Sequence, residues 1–284
     1  MINKFLSVLF LILFLPSLFW AQTIPSEELV KLFLKSKTYI VYDVSMFSAY
    51  NFYIKEAIEN EWKITEYEFI SYNEFAEKRK EKNSSFLVLT DVTFNNDKTA
   101  TVYNFLSLIL GGNYRFVSDM PDIINIPLSI SDQDDDLYVY KIPAIIGFIQ
   151  KHTLLLKQQP QLAGKPIEDV YKITDKGLTD KTFYFLQEDL SPEINTVSKI
   201  KKVFPFPVKI LTKEQIEESI NNKEKGIIFL HKVGSNSKQG NRQCFIVLIG
   251  ADDYEIYYFN NHTITKKNGN FILKKDLIKL ARTI

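Results

Sequence analysis

Two stretches of this chain match each other without a gap, and that match constrains the fold more strongly than any other feature. Residues 70–92 align with residues 211–233, and in both an apolar strand runs into a helix and then into a second apolar strand. Both helices open on the pattern S/T-x-x-E/Q, at Ser71–Glu74 and Thr212–Gln215. In such a capping box the first side chain accepts from a free helix N–H and the second reaches back. The match predicts two copies of one α/β unit.

Each copy also has a strand before the matched stretch. Lys37–Asp43 and Lys181–Gln187 are apolar on both faces, which is typical of central parallel strands. Apolar residues at helical spacing follow both strands: Tyr50, Ile54, Ala57 and Ile58 in the first copy, and Ile194, Val197, Ile200 and Val203, after Ser191–Pro192, in the second. Because crossovers between parallel strands are right-handed, we expect the first three strands of each copy to be parallel.

Further apolar runs predict the rest of each copy. After the third strands at Ser85–Asp91 and Gly226–Lys232, the predicted strands are Thr101–Leu110, Tyr114–Val117, Gln243–Ile249, Tyr254–Phe259 and Thr263–Lys266. The closing helices are predicted at Tyr138–Gln158, which Pro143 disturbs near its start, and at Leu273–Ala281. The predicted fold class is therefore α/β, a tandem pair of small three-layer domains, each β-α-β-α-β-β-(β)-α with a mixed sheet.

The first residues predict export. Lys4 gives a charged start, Phe5–Trp20 is an almost unbroken apolar run, and the small Ala21 precedes a polar stretch, as in a secretory signal peptide. The alternative is an uncleaved membrane anchor, for which the run is a little short. The predicted organisation is a signal peptide at 1–21, a first α/β domain at 22–159, a linker at 160–180 and a second α/β domain at 181–284.

Composition argues against several kinds of partner. Lys and Arg number 35 against 34 Asp and Glu, a formal net charge of +1, so nothing draws the chain to nucleic acid or to an anionic membrane. No membrane span is expected after signal cleavage, and the oligomeric state is not indicated. The single cysteine, Cys244, cannot form an intrachain disulfide. Its place in an apolar run predicts a small buried hydrophobic residue rather than a nucleophile.

Common metal and cofactor motifs do not fit the sequence. His152, His231 and His262 are scattered, so a zinc site would need distant residues to converge. The acidic run at 131–136 lacks the glycine and glutamate spacing of a calcium-binding EF-hand loop. The polar segment at 234–240 lacks the spacing of a phosphate-binding loop. We predict neither a cofactor nor a metal.

The most suggestive polar residues lie at strand ends. Asp43 and Asp91 fall at the carboxyl ends of the first and third strands, where ligands gather in open α/β sheets. Two carboxylates there could perform acid–base chemistry or hold a cation. In the second copy the Thr90-Asp91 pair is replaced by His231-Lys232, so such a site exists in one copy only or differs between them. Asp43, Asp91 and His231 are thus weak catalytic candidates, and the alternative is that they are solvated or helix-capping groups.

The order of elements resembles two known architectures, the thioredoxin-like fold and the small α/β domain at the N-terminus of the periplasmic TolB protein. The resemblance covers each copy but is one of topology alone. The redox motif Cys-x-x-Cys is absent because the chain has one cysteine, and no propeller repeats follow. The chain also resembles uncharacterised exported proteins of Gram-negative bacteria. No functional residue is carried over from these resemblances.

Three hypotheses for function follow. The first is an exported, periplasmic or secreted, non-enzymatic module that binds an envelope or secreted protein or supports an envelope assembly. The second is a two-lobed small-ligand-binding protein with its ligand between the copies. The third is an enzyme that uses the strand-end carboxylates of the first domain. An exposed apolar patch favours a protein partner, a deep pocket between the lobes favours a ligand, and carboxylates that converge in a cleft favour catalysis.

Overall fold

The computed structural model of the chain describes residues 25–45, 48–131, 133–171, 177–236 and 240–282. The predicted signal peptide at 1–21 lies outside the described residues. Within these ranges the strands are β1 Lys37–Val41, β2 Tyr67–Ile70, β3 Ser84–Val92, β4 Tyr103–Leu110, β5 Asp122–Ile130, β6 Thr182–Leu186, β7 Val208–Leu211, β8 Ile227–Gly234, β9 Gln243–Gly250 and β10 Ile256–Thr263. The α-helices are α1 Glu27–Phe33, α2 Ala49–Glu61, α3 Tyr72–Lys78, α4 Ile142–Gln158, α5 Ile167–Val170, α6 Val197–Lys201, α7 Lys213–Asn221 and α8 Lys274–Ala281.

The ten strands of the described chain form two sheets with the same order and the same directions. The first sheet runs β2-β1-β3-β4-β5 and the second β7-β6-β8-β9-β10. In each sheet the first three strands are parallel, and the fourth and fifth add antiparallel neighbours. Helices pack on both faces of each sheet. The predicted fold class, a tandem pair of small three-layer α/β domains with mixed sheets, is confirmed.

Both predicted capping boxes form. The hydroxyl of Ser71 accepts from the Glu74 N–H at 3.3 Å, and the Glu74 carboxylate accepts from the Ser71 N–H at 2.8 Å. Thr212 and Gln215 repeat this exchange at 3.4 and 3.0 Å. Helices α3 and α7 therefore begin at equivalent points, directly after equivalent strands.

The sequence match aligned β1 with β6, but in the structure the equivalent residues of these two strands are shifted by one position from that alignment. That match made Ile40 equivalent to Tyr184. In the structure Ile40 pairs with Leu87, whereas Phe183 pairs with Ile228, the residue that matches Leu87. Through this pairing Ile40 is equivalent to Phe183, and through the pairing with β2 and β7 it is equivalent to Phe185, because Phe69 matches Ile210. In both cases each side chain of β6 lies on the face opposite to the predicted one. Both strands are apolar on both faces, so the sequence has no alternation that sets the phase.

The two domains share one apolar core, and α4 lies at its centre. This helix is apolar almost all round and packs in the same buried cluster as Ile216 of α7. A Cβ on Gly147 would lie 2.2 Å from the Tyr254 ring, so the glycine permits the close approach of α4 to the second domain. The described part of the predicted linker also packs here, since Tyr171 and His152 share a 2.9 Å hydrogen bond. The domain boundaries stay a prediction.

One predicted strand is wrong. Residues 114–117 form a turn that enters a 3₁₀ helix at Val117–Asp119, and Phe116 is 54% exposed. The fifth strand is instead β5, which contains Pro127. Proline lacks the N–H that a central strand needs, but β5 is an edge strand and tolerates it.

Several other boundaries also differ from prediction. The helix predicted after β6 is a 3₁₀ turn at Pro192–Ile194 followed by the short α6, which suits apolar residues spaced by three. Residues 260–262, which separate two predicted strands, are part of one strand, β10, and this strand ends at Thr263. Helix α4 begins at Ile142, because Pro143 fits the first turn of a helix.

Candidate functional site

A groove of about 1040 Å³ opens at the carboxyl ends of β1 and β3, on the face of the first sheet that carries α3. Its walls come from these strand ends, the first turn of α3, the β3–β4 loop and parts of β4 and β5. Gln243 and Thr263 of the second domain also line it. We call this feature the strand-end groove. It lies where open α/β sheets usually bind ligands.

The structure brings the two predicted carboxylates to this groove. Asp43 is half-buried, and its Oδ1 accepts from the Val44 N–H at 2.7 Å. The Asp43 N–H in turn donates to Asn51 Oδ1 at 2.7 Å, which fixes the backbone just after β1. Asp91 is exposed near the end of β3, and within the described part of the chain its side chain has no hydrogen-bond partner. Asp43 and Asp91 therefore line one cavity.

The rest of the groove is rich in hydrogen-bonding groups. The hydroxyls of Thr90 and Ser107 share a 2.6 Å hydrogen bond, and the Asn125 amide donates to the buried carboxylate of Asp122. Among the described residues that line the groove there is no lysine, arginine, histidine or cysteine. The groove therefore contains three aspartates and no basic side chain from these residues.

An apolar surface continues the groove towards the start of α2. A second cavity of about 760 Å³ shares Tyr42, Asp43, Val44 and Tyr72 with the strand-end groove. Three of its lining residues are unusually exposed for apolar side chains: Val44 at 73%, Phe52 at 66% and Tyr72 at 44%. We call these three residues the apolar shelf. Contiguous exposed apolar residues on a soluble domain are typical of a binding surface.

The corresponding strand ends of the second domain are closed. Asp189 follows β6 and forms a 3.0 Å ion pair with Lys232 of β8, and the two side chains are 8% and 12% exposed. Lys232 Nζ also donates to the Asn270 carbonyl at 3.1 Å. The pair leaves neither charge without a partner, so these strand ends carry a structural ion pair in place of an open site.

The third candidate, His231, does not join the other two. It is fully buried, and its Nε2 donates to the carbonyl of Pro127 in β5 at 2.8 Å. Burial and the nearby Lys141 ammonium lower the pKa of His231 to about 3, although the Pro127 carbonyl opposes this shift. Burial also lowers the pKa of Lys141. His231 is therefore a neutral packing residue between the domains at physiological pH, and it does not line the groove.

Other sequence predictions can be placed as well. Cys244 is buried in β9, as expected, and burial raises the pKa of its thiol to about 12. Within the described ranges no three His, Cys, Asp or Glu side chains are grouped so that they could hold a metal ion. No helix among the described residues is both long enough and apolar enough to cross a membrane.

The sequence reasoning missed two parts of the site. The apolar shelf left a trace in the sequence. Val44 and Phe52 lie in the segment after β1, where the core does not require apolar side chains, so apolar residues there can indicate a binding surface. Gln243 and Thr263 had none, because they reach the groove only through the packing of the second domain.

Comparisons with known proteins do not define a family. No family model matches the chain, and no solved structure matches it. A stretch of 70 residues is 40% identical to a protein described as Trigger factor from Trichodesmium erythraeum. That stretch is 25% of this chain and covers only 14% of the length of the relative. So partial a match does not show a shared family or activity.

Proposed function

We propose that this chain is an exported, non-enzymatic binding module whose protein partner occupies the strand-end groove and the apolar shelf. The observation that carries the proposal is the continuity of the two surfaces. Val44 and Tyr72 line both cavities, so a partner that enters the groove also covers exposed apolar side chains. Burying exposed apolar area is the main favourable contribution to association.

The groove chemistry favours binding over catalysis. A nucleophile usually needs an adjacent base such as histidine. The described lining offers aspartates, amides and hydroxyls but no histidine, cysteine or lysine. Asp43 is already engaged by the Val44 N–H, whereas Asp91 is exposed to solvent. These groups suit recognition by hydrogen bonds and charge.

Export is part of the proposal and is supported by the sequence of the first residues. The charged start, the apolar run at 5–20 and the small Ala21 are the features of a cleaved secretory signal. The partner is then an envelope or secreted protein. N-terminal sequencing of the protein from its native host should find a chain that begins near Gln22 or Thr23, and a retained Met1 in a membrane fraction would contradict export.

Site-specific photo-crosslinking tests the binding proposal. A photoreactive phenylalanine at Tyr72, on the apolar shelf, should give a discrete protein adduct in intact cells. The same residue at Leu32, which is 51% exposed on α1, is the matched control and should not give this adduct. Equal adducts at both positions, or none at Tyr72, would refute a partner in the groove.

A small ligand is the second candidate, and one observation favours it. The groove is lined by both domains, and its volume of about 1040 Å³ is at the upper end of the range of small-molecule sites. Native mass spectrometry of the protein purified from its host distinguishes the two candidates. A stoichiometric small-mass adduct that is lost in an Asn104→Leu variant would favour the ligand.

A further inference from the structure

The charge of the strand-end groove indicates the chemistry of its occupant. Asp43, Asp91 and Asp122 line the cavity, and the described lining residues include no lysine or arginine. Amide and hydroxyl groups at Asn104 and Thr90 add acceptors to the same walls. Complementarity of charge selects partners by attracting the opposite sign and rejecting the same sign. The groove therefore suits a cationic group and disfavours an anionic one.

In the second domain, an aspartate near the strand ends is paired with a cation of the same chain. There, Asp189 at the end of β6 receives the ammonium of Lys232 at 3.0 Å. In the first domain the position that matches Lys232 is occupied by Asp91, so the lysine is replaced by a second carboxylate. Among the described residues, the two domains thus differ in whether a lysine lies beside a strand-end aspartate. In the first domain no described residue that lines the groove supplies a cation, which leaves that place open to a cationic partner.

The apolar shelf indicates that the cation is attached to an apolar molecule. Val44, Phe52 and Tyr72 are exposed directly beside Asp43, so a small hydrophilic cation would leave them uncovered. An extended polypeptide meets both requirements, because one segment can carry a cationic side chain and apolar side chains a few residues apart, at about 3.3 Å per residue. The two adjoining cavities, of about 1040 and 760 Å³, give such a segment room to lie across both.

We infer that the occupant is an extended protein segment that places a lysine or arginine against Asp43 and Asp91 and apolar side chains on the apolar shelf. This inference rests on the proposed function and specifies its partner. The segment supplies to the first domain the cation that Lys232 supplies within the second.

Calorimetric titration with defined peptides tests the inference. The probe is a short peptide of alternating valine and lysine, blocked at both ends, and its control replaces every lysine with glutamate. Spermine is the probe for a cation without an apolar part. We expect the valine–lysine peptide to bind about tenfold more tightly than either comparison compound, and to weaken as salt is raised.

Variants assign the binding to the groove. Asp43→Asn and Asp91→Asn should each weaken the valine–lysine peptide by about fivefold to tenfold. Asp180→Asn removes the same charge from an exposed position at the end of the predicted linker and should leave the affinity unchanged. Asp91→Lys imitates the second domain and should remove the preference for lysine over glutamate. Circular dichroism confirms that each variant is folded.

Several results would overturn the inference. These are equal binding of the glutamate peptide, spermine binding as tightly as the peptide, no peptide binding, or no effect of the groove variants. The proposed function fails separately, through the crosslinking at Tyr72. A Tyr72 adduct together with peptide binding that ignores charge would reject the cationic segment and retain the binding module.

Discussion

The two domains have the same topology, yet their strand ends are opposite in character. In the first domain Asp43 and Asp91 line an open groove beside exposed apolar residues. In the second, Asp189 and Lys232 neutralise each other in a buried pair, and His231 packs against the first domain. Shared topology therefore does not imply a shared site, since the side chains at the strand ends decide whether a site is open.

Domain packing explains part of this difference. Tyr103 pairs with Val92 and Phe245 pairs with Val233, so Tyr103 and Phe245 hold equivalent positions. The two rings meet edge to face at 5.8 Å. Beyond this contact, the face of the second sheet that carries α7 is buried in the shared core. The face of the first sheet that carries α3 lines the open groove instead. The equivalent face is therefore buried in the second domain and open to solvent in the first.

The largest expected change in stability comes from removing the Asp189–Lys232 ion pair, which closes the strand ends of the second domain. Lys232→Met leaves the 8% exposed Asp189 carboxylate without its cation, and we expect a loss of about 3–5 kcal/mol in the free energy of unfolding. Asp91→Met at the matching, exposed position should change stability by less than about 0.5 kcal/mol. Urea unfolding followed by circular dichroism measures both. Similar losses in the free energy of unfolding for the two variants would show that the strand ends of the two domains do not differ in this way.

Acidification should weaken the contact between the domains. The pKa of His231 is about 3 in the folded chain and lies near its ordinary value of about 6.5 when unfolded. The unfolded state therefore binds the proton first, so this stability is present above pH ~6.5 and is lost as the pH falls towards 3. We expect a loss on the order of 2–4 kcal/mol across this range from His231.

The His231→Gln variant checks the origin of this pH dependence. Glutamine retains a donor for the Pro127 carbonyl but does not titrate, so the stability of the variant should fall less steeply with acid. Some slope should remain, because burial also lowers the pKa of His152 to about 4. An unchanged slope would show that His231 is not the group that titrates.

The smallest effects concern features that the two domains share. Ser71→Ala and Thr212→Ala each remove one capping hydrogen bond and should cost about 1 kcal/mol. The caps have no common partner, so the double variant should lose the sum of the two single losses, within about 0.5 kcal/mol. Urea unfolding of the three variants provides the measurement. A clear departure from additivity would mean that the two helix starts are coupled.

The sequence predicted the elements whose signals are local. The capping boxes and the buried positions Tyr50, Ile54 and Ala57 of α2 were correct, because caps and helical periodicity depend on near neighbours. Strand β5 was missed because Asn125 and Pro127 interrupt its apolar pattern. An edge strand tolerates such residues, but the sequence does not reveal which strand lies at an edge.

The candidate site was predictable only in part. Asp43 and Asp91 follow parallel strands, and the carboxyl ends of such strands meet at one edge of a sheet, so their arrival at one groove follows from topology. The burial of His231 depends on Pro127, more than a hundred residues earlier and in the other domain. No local pattern encodes such a contact, and this is why His231 resembled a site residue in the sequence.

The shared core around α4 has a consequence for how this chain reaches its folded state. Because the first domain is synthesised first, α4 emerges before the sheet and the α7 helix that cover one side of it. During that interval the Gly147 face of α4 is without the Tyr254 ring that later packs on it. The nascent first half therefore exposes an aggregation-prone apolar surface until the second half has been synthesised. The two halves depend on each other to fold cooperatively.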